Sequence, residues 1–246
     1  LRQNYPDAKP VLQSPQLGTG HAVSMVLPYL DTYTGAVIIL NGDIPLITSD
    51  SLKEFIEFHS ASGSDLSVMS AVFDNPGNLG RIIRKADGSL DSIVEAKDAT
   101  DEQKAVKEIN AGAYCLNWSK IKHAFSNLKT NNAQGEYYLT DIVKWANDNG
   151  LKANVYTIKD KKEIFGINSK TELAEASKYM NERTIKKHLD NGVQIIDPST
   201  TWISPETEIE HDTVIYPSCY INGKNKIGAH CKIGPFAHLR GDVVLE

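Results

Sequence analysis

The sequence predicts an α/β domain, a long joining helix and the start of a hexapeptide-repeat parallel β-helix. Three observations carry this. Short apolar runs alternate with helix-type segments over the first 170 residues, then a polar stretch without Gly or Pro follows, and from Ile203 an aliphatic residue recurs at every sixth position. Strands alternating with helices argue for an open, mostly parallel sheet. The domain limits read as 1–169, 170–192 and 193–246.

Within the first domain, strands are predicted at Ala36–Leu40, Asp65–Val72, Ile82–Arg84, Ser92–Glu95, Gly112–Leu116 and Ala153–Tyr156. Helices are predicted at Gly20–Leu30, Ser51–Ser60, Trp118–Asn127 and Thr140–Asn149. Asp50 stands where an N-cap belongs, and Gly150 where a helix-ending glycine belongs. The joining helix, Lys170–Asn191, places apolar residues at Leu173, Ala176, Met180, Ile185 and Leu189. Ser169 or Thr171 would cap it and Gly192 would end it.

The repeat runs through Ile203, Ile209, Ile215, Ile221, Ile227, Ile233, Leu239 and Leu245. Two residues before each stands Thr201, Thr207, Thr213, Cys219, Asn225, Cys231, Ala237 or Val243, most of them small. A period of six fits neither an amphipathic helix nor an alternating strand, but it fits a β-helix of one short strand and one turn per hexad. The aliphatic residue fills the interior, the small residue relieves crowding at the corner, and Gly228 and Gly234 suit tight turns. Three hexads make one coil, so eight hexads give fewer than three coils.

Composition sets outer limits. Of 246 residues, 41% are hydrophobic and 23% charged, which excludes collagen-like, low-complexity and disordered classes. No apolar run approaches a membrane span. A net charge of −5 without a basic run argues against nucleic-acid binding. Three cysteines, Cys115, Cys219 and Cys231, fit a reducing cytoplasm. The chain opens with Leu1 and no signal-peptide pattern, as a processed chain or a piece of a longer one would.

Four segments concentrate chemistry. In Val11–Ala22 a Gly-Thr-Gly loop runs into a helix, where backbone N–H groups and the helix dipole favour electronegative ligand groups. Glycines at 18 and 20 allow close approach, and the Gln13 amide could read a nucleobase edge. The same pattern also reads as a plain turn. Asn41-Gly42-Asp43 ends an apolar strand, where α/β sheets bind ligands. Its carboxylate suits Mg²⁺, or alternatively caps the next segment. Gly80-Arg81, Glu95 and Asn110 lie at strand ends, where a carboxylate and an amide could clamp sugar hydroxyls or sit idle on the surface. Asn168, after a short apolar strand at Ile164–Ile167, could ligate a metal or cap the next helix.

Taken in order, Gln16–Ala22, Asn41–Leu46, Gly80–Ile82, Lys97–Gln103, Asn131–Tyr138 and Gly166–Asn168, with the hexads after them, resemble the bacterial bifunctional N-acetylglucosamine-1-phosphate uridyltransferase / glucosamine-1-phosphate acetyltransferase family. The resemblance covers nearly the whole chain. It implies a Rossmann-like nucleotidyltransferase domain, a linker helix and a left-handed parallel β-helix. It also implies that Gln13 reads uracil with the backbone of Gly18 and Thr19, and that Asp43 holds Mg²⁺ with Asn168 in contact. Gly80, Glu95 and Asn110 would hold the N-acetylglucosamine moiety, with Asn41 on the ribose side. The implied reaction joins N-acetylglucosamine 1-phosphate to UTP, giving UDP-N-acetylglucosamine and pyrophosphate. Acetyl-CoA would serve the second activity, and a cytoplasmic homotrimer is expected. The alternatives are another hexose-1-phosphate nucleotidyltransferase, using UTP or dTTP, and a non-catalytic UDP-sugar-binding homologue.

Two departures from the family pattern shape the expectations. The family's opening Leu-Ala-Ala-Gly-x-Gly-Thr-Arg-Met segment, which cradles the triphosphate, is not among these residues, so weak or absent nucleotide transfer is expected of the chain as given, together with exposed apolar surface on the sheet. Too few hexads precede Arg240 for it to match the family's sugar-phosphate arginine, so it is expected to face outward, and no acetyltransferase residue is assigned. His21 is expected to be structural, Lys159–Lys162 a solvated turn, and Cys219 and Cys231 packing residues.

Overall fold

A computed structural model describes residues 5–246; the first four, with which the first predicted domain opens, lie outside the described residues. The chain forms two compact units, Leu1–Phe165 and Gly166–Glu246. No helix among the described residues is long and apolar enough to cross a membrane.

The first unit runs α1 (Thr19–Ser24), a 3₁₀ turn at Leu27–Tyr29, β1 (Ala36–Leu40), α2 (Ser49–Ser62), β2 (Leu66–Val72), β3 (Arg81–Arg84), β4 (Leu90–Val94), α3 (Asp101–Lys104), β5 (Glu108–Asn117), α4 (Trp118–Ile121) with a 3₁₀ extension to Ser126, α5 (Asp141–Asp148) and β6 (Ala153–Thr157). Its sheet has the order β4-β3-β5-β2-β6, and β1 pairs with β5. The expectation of mostly parallel pairing is corrected. Only β2 and β6 pair in parallel; β5 runs antiparallel to β1, β2 and β3, and β4 runs antiparallel to β3. Strands β1, β2, β3 and β6 do share one direction, as α/β alternation predicts. The long β5 inserts between them in the opposite sense and converts parallel neighbours into antiparallel pairs.

The sheet is buried on both faces, because side chains alternate across the pleat. Leu66, Val68, Tyr114 and Leu116 face a core built with Trp118, Ile121, Phe125, Ile142 and Val143. Met69, Ala71, Ile109, Ala113 and Cys115 face a second core with Phe55, Ile158 and Ile164. The outlying strand β1 buries Val37 and Ile39 on the first core but leaves Ile38 and Leu40 about two-fifths exposed.

Several predicted boundaries move for local reasons. The first helix stops at Ser24 rather than Leu30, because Pro28 lacks an N–H and the chain tightens into a 3₁₀ turn. Thr48, not Asp50, caps α2: its hydroxyl accepts the Ser51 N–H at 3.1 Å, while Asp50 lies in the first turn, where its charge favours the dipole. Helix α3 is held by a capping box of Thr100 and Gln103.

In the second unit α6 (Lys170–Asp190) leads into β7 (Gln194–Ile195), β8 (Trp202–Ile203), β9 (Glu208–Ile209), β10 (Val214–Ile215), β11 (Tyr220–Asn222), β12 (Lys226–Ile227), β13 (Lys232–Ile233), β14 (His238–Arg240) and β15 (Val244–Leu245). Ser169 caps α6, accepting the Glu172 N–H at 3.2 Å. Nine strands form three parallel sheets of three, β7-β10-β13, β8-β11-β14 and β9-β12-β15. The expectation of fewer than three coils is therefore corrected: β7 completes the third sheet. Ile195 pairs with Ile215 at a spacing of twenty residues instead of eighteen, so a strict six-residue count misses it. The inward Ile column is a continuous core, closed on one side by Ile185 of α6.

The corners differ from the prediction. Gly234 has a positive φ of 91°, but Gly228 does not; the left-handed corner falls instead on Asp212, Ser218, His230 and Phe236, each immediately before a small-residue position. Those small positions are also more than relief of crowding. Thr207, Thr213 and Asn225 are fully buried and donate to the carbonyls of Gly223, Gly228 and Asn222. Cys219 is buried among them, as expected, and Cys231 is half-buried.

Candidate active site

The Gly-Thr-Gly loop is built against the segment Tyr137–Thr140. Tyr137 N–H donates to the Leu17 carbonyl at 2.8 Å, Gly20 N–H donates to the Tyr137 carbonyl at 2.8 Å, and Leu139 N–H donates to the Thr19 hydroxyl at 3.0 Å. A Cβ at Gly18 would stand 2.7 Å from the Tyr137 carbonyl oxygen, and one at Gly20 would stand 2.5 Å from the Leu128 side chain. The glycines are thus required by the protein's own close packing, where the sequence suggested ligand approach. Gln13 Nε2 donates to the Gly18 carbonyl at 2.9 Å and lies 3.1 Å from His21 Nδ1. Because the carbonyl can only accept, the amide orientation is set and Gln13 Oε1 is left as an acceptor.

Asn41, Gly42 and Asp43 are exposed on the turn after β1. Asn41 lies over Gly112, whose φ is +73°; a Cβ there would stand 2.2 Å from Asn41 Nδ2. Gly112 N–H donates to Asn110 Oδ1 at 3.0 Å, and Asn110 Nδ2 donates to the Tyr114 hydroxyl at 2.8 Å. Asn110 N–H donates to the Gly80 carbonyl at 2.9 Å, and a Cβ on Gly80 would stand 3.3 Å from Glu95 Oε2. The structure therefore brings Asn41, Gly80, Glu95 and Asn110 into one cluster. Asn110 lies inside β5, where the prediction had placed it before the strand.

The cluster and the loop meet through one strut. Thr140 Oγ1 donates to Glu95 Oε1 at 3.1 Å, three residues after Tyr137 closes on the Gly-Thr-Gly loop. Burial raises the pKa of Glu95; the Thr140 bond works against that, and the Asp141 and Asp98 carboxylates add to it. Asp141 is itself raised by burial and by Asp98. Asp98 is held by the Ala133 N–H at 2.8 Å and the Tyr138 hydroxyl at 3.2 Å, which ties Lys97–Gln103 to Asn131–Tyr138.

Sequence reasoning assigned no role to four residues of this architecture. Thr140 and Tyr114 contact Glu95 and Asn110 directly, and Tyr137 supports the loop. Arg81, only 3% exposed, donates to the carbonyls of Leu79, Gly77 and Lys104 and so fixes the turn that presents Gly80. An arginine opening an apolar strand was the signal available for it.

Asn168 does not follow a strand. A 3₁₀ turn at Lys161–Ile164 precedes it, and its N–H donates to Glu172 Oε2 at 2.7 Å as part of the α6 cap. It belongs to the second unit, Asp43 to the first. Arg240 is exposed at the end of β14. Among the described residues no group of three or more His, Cys, Asp or Glu could hold a metal. Asp43 offers a single exposed carboxylate, a donor set that fits a cation which keeps its waters and binds mainly through substrate phosphates.

Asn41, Gly80 and Glu95 thus gather at the ends of β1, β3 and β4, and strand ends are where α/β sheets bind ligands. Residues 2–192 match the Nucleotidyl transferase family, to which the chain belongs. It is 47% identical over 229 residues to the protein named bifunctional protein GlmU of Caldanaerobacter subterraneus subsp. tengcongensis, covering 93% of this chain and 50% of that one. It is 48% identical to the protein of that name from Thermoanaerobacter pseudethanolicus, covering 91% of this chain and 48% of that one. The chain spans about half the length of the curated relatives it matches. A solved structure of UDP-glucose pyrophosphorylase complexed with UDP-glucose shares the fold, with a TM-score of 0.52 at 16% identity, covering 70% of this chain and 64% of that one.

Proposed function

We propose that the site serves transfer of uridylyl from UTP to N-acetylglucosamine 1-phosphate, giving UDP-N-acetylglucosamine and pyrophosphate. The observation that carries this reading is the strut Tyr137–Thr140, which joins the loop holding Gln13 to the clamp of Gly80, Glu95 and Asn110. A base reader and a sugar clamp held by one segment suit a nucleoside diphosphate sugar. Gln13 Oε1 would accept the uracil N3–H, with the Gly18 and Thr19 backbone completing that pocket. Cytosine, with an acceptor at N3, would leave two acceptors face to face. Glu95 would accept from sugar hydroxyls, and Asn110 would pair with the acetamido side, with Asn41 at the ribose.

A phosphate oxygen of the sugar phosphate forms a bond to the α-phosphorus while the α–β bridging bond breaks, and pyrophosphate leaves. The residues need only hold the two ligands in line. Asp43 would hold Mg²⁺, which when bound offsets phosphate charge. In the longer relatives' arrangement the second activity would use acetyl-CoA, and the assembly would be a cytoplasmic homotrimer supplying peptidoglycan and lipopolysaccharide precursors.

Titration calorimetry of this chain with UDP-N-acetylglucosamine, with and without Mg²⁺ and with UDP-glucose as control, tests the reading. Selective binding of the acetamido sugar, strengthened by Mg²⁺, is expected. The Mg²⁺ effect should be lost in Asp43→Asn, with Mg²⁺-free affinity unchanged. Equal affinity for UDP-glucose would favour a glucose-1-phosphate nucleotidyltransferase. Observed pyrophosphate release would eliminate the non-catalytic UDP-sugar binder.

A further inference from the structure

The β2–β5 pairing carries a large irregularity at the sugar clamp. Val68 pairs with Tyr114 and Ser70 with Asn110, so the three residues Ala111, Gly112 and Ala113 of β5 stand opposite Met69 alone. Such a bulge bends its strand and re-aims side chains, and bulges concentrate beside functional sites. Here the bend is built on Gly112 at φ +73°, and it folds Asn110 and Tyr114 onto one another.

The bulge orients the Asn110 amide without ambiguity. Gly112 N–H can only donate, so the atom it meets at 3.0 Å is the carbonyl oxygen Oδ1. Nδ2 is therefore the atom that donates to the Tyr114 oxygen at 2.8 Å. One lone pair of Oδ1 and one hydrogen of Nδ2 stay unspent, and Asn110 is half-buried at the clamp. Tyr114 is only 1% exposed and fixed in the core, so the anchor of this amide does not move. Burial also raises the phenol pKa above its ordinary range.

We infer that Tyr114 is a positioning residue for sugar selection: through the β5 bulge its hydroxyl locks the Asn110 amide in the one orientation that presents a donor and an acceptor to the sugar substituent. The inference rests on the reading of Asn110 as part of the sugar clamp. Without the hydroxyl, the amide is held only by Gly112 and rotates, and a ligand that needs its fixed orientation binds less well. A ligand with no sugar is unaffected.

The test is calorimetry of the full chain and its Tyr114→Phe variant with UDP-N-acetylglucosamine and with UDP. Loss of one fixed hydrogen bond predicts about tenfold weaker binding of the sugar nucleotide, with UDP affinity unchanged. In an Asn110→Ala background the same Tyr114→Phe change should have no further effect, because the group it positions is gone. A merely structural role for Tyr114 would weaken both ligands alike, or add its full effect in the Asn110→Ala background; either result, or no change in affinity, overturns the inference. Failure of the unaltered chain to bind UDP-N-acetylglucosamine while still binding UDP would instead overturn the sugar-clamp reading, and this inference with it.

Discussion

At Glu95 the surroundings oppose the charge that sugar recognition needs. Burial, Asp141 and Asp98 favour the protonated acid, and only the Thr140 hydroxyl favours the carboxylate. A carboxyl whose folded pKa is raised binds its proton more tightly in the native state, so its stabilising contribution is full at low pH and is lost as pH rises through the folded value. At neutral pH the Glu95 carboxylate therefore costs folding stability. Glu95→Gln should raise the melting temperature at pH 7 while abolishing selective binding of the acetamido sugar, checked by calorimetric melting and ligand titration on the same samples. Gly80, Glu95 and Asn110 were legible as candidates only through the resemblance that their motifs carry together; singly, Glu95 and Asn110 read as surface and turn residues. Thr140 was not: it is 45 residues from its partner Glu95, and a lone threonine before a helix reads as a cap. It makes no cap bond to α5, and its hydroxyl turns to the carboxylate instead.

Among the elements, α6 holds the β-helix by a side chain that imitates a strand. Buried Asn181 donates from Nδ2 to the Thr201 carbonyl at 2.8 Å and accepts the Ile203 N–H on Oδ1 at 2.9 Å, so the amide satisfies the backbone of β8 where no neighbouring strand does. Asn181→Leu leaves those two groups buried and unpaired, and should destabilise the second unit by about 2–4 kcal/mol, read from urea unfolding. The same element shows what periodicity can reach. The helix and the hexads were legible because a period of six has one structural meaning. β7 escaped because Asp197-Pro198-Ser199 lengthens its turn, and the first half of β5 escaped because Glu108–Ala111 leads into a bulge that interrupts the strand pattern. Asn181 gave no signal, since a polar residue in a polar helix looks solvated.

For the molecule as a whole, each unit buries one histidine that resists protonation. His59, 6% exposed, is shifted down by burial against a smaller opposing pull from Asp65, and its Nδ1 bonds Ser67 at 2.8 Å. His188, 2% exposed, is shifted down by burial and by Lys187, against a smaller opposing pull from the Thr207 backbone. With the folded pKa lowered, the unfolded chain binds more protons, so stability falls as pH drops below about 6.5. Both units should therefore lose protection from hydrogen exchange between pH 7 and 5. His188→Leu should remove that loss from the second unit only, since the group that gains a proton on unfolding is gone. The overall plan, sheet then helix then solenoid, was legible because each part has its own period. Strand direction was not: alternation of helices and strands suggests parallel neighbours, but β5 is entered from the short helix α3 and a brief loop, and its reversed sense leaves no trace in composition.

The strut between the Gly-Thr-Gly loop and Glu95 has a consequence for what the site measures. Tyr137 and Leu139 grip the loop and Thr140 grips Glu95, with only a few peptide units between them. Such a segment is a length standard. On the proposed function, base and sugar are accepted only at the separation that a pyrophosphate bridge imposes, so a ligand with the right ends and a shorter or longer middle fails at both. On that reading the chain would gauge distance as well as chemistry, with a graduation four residues long.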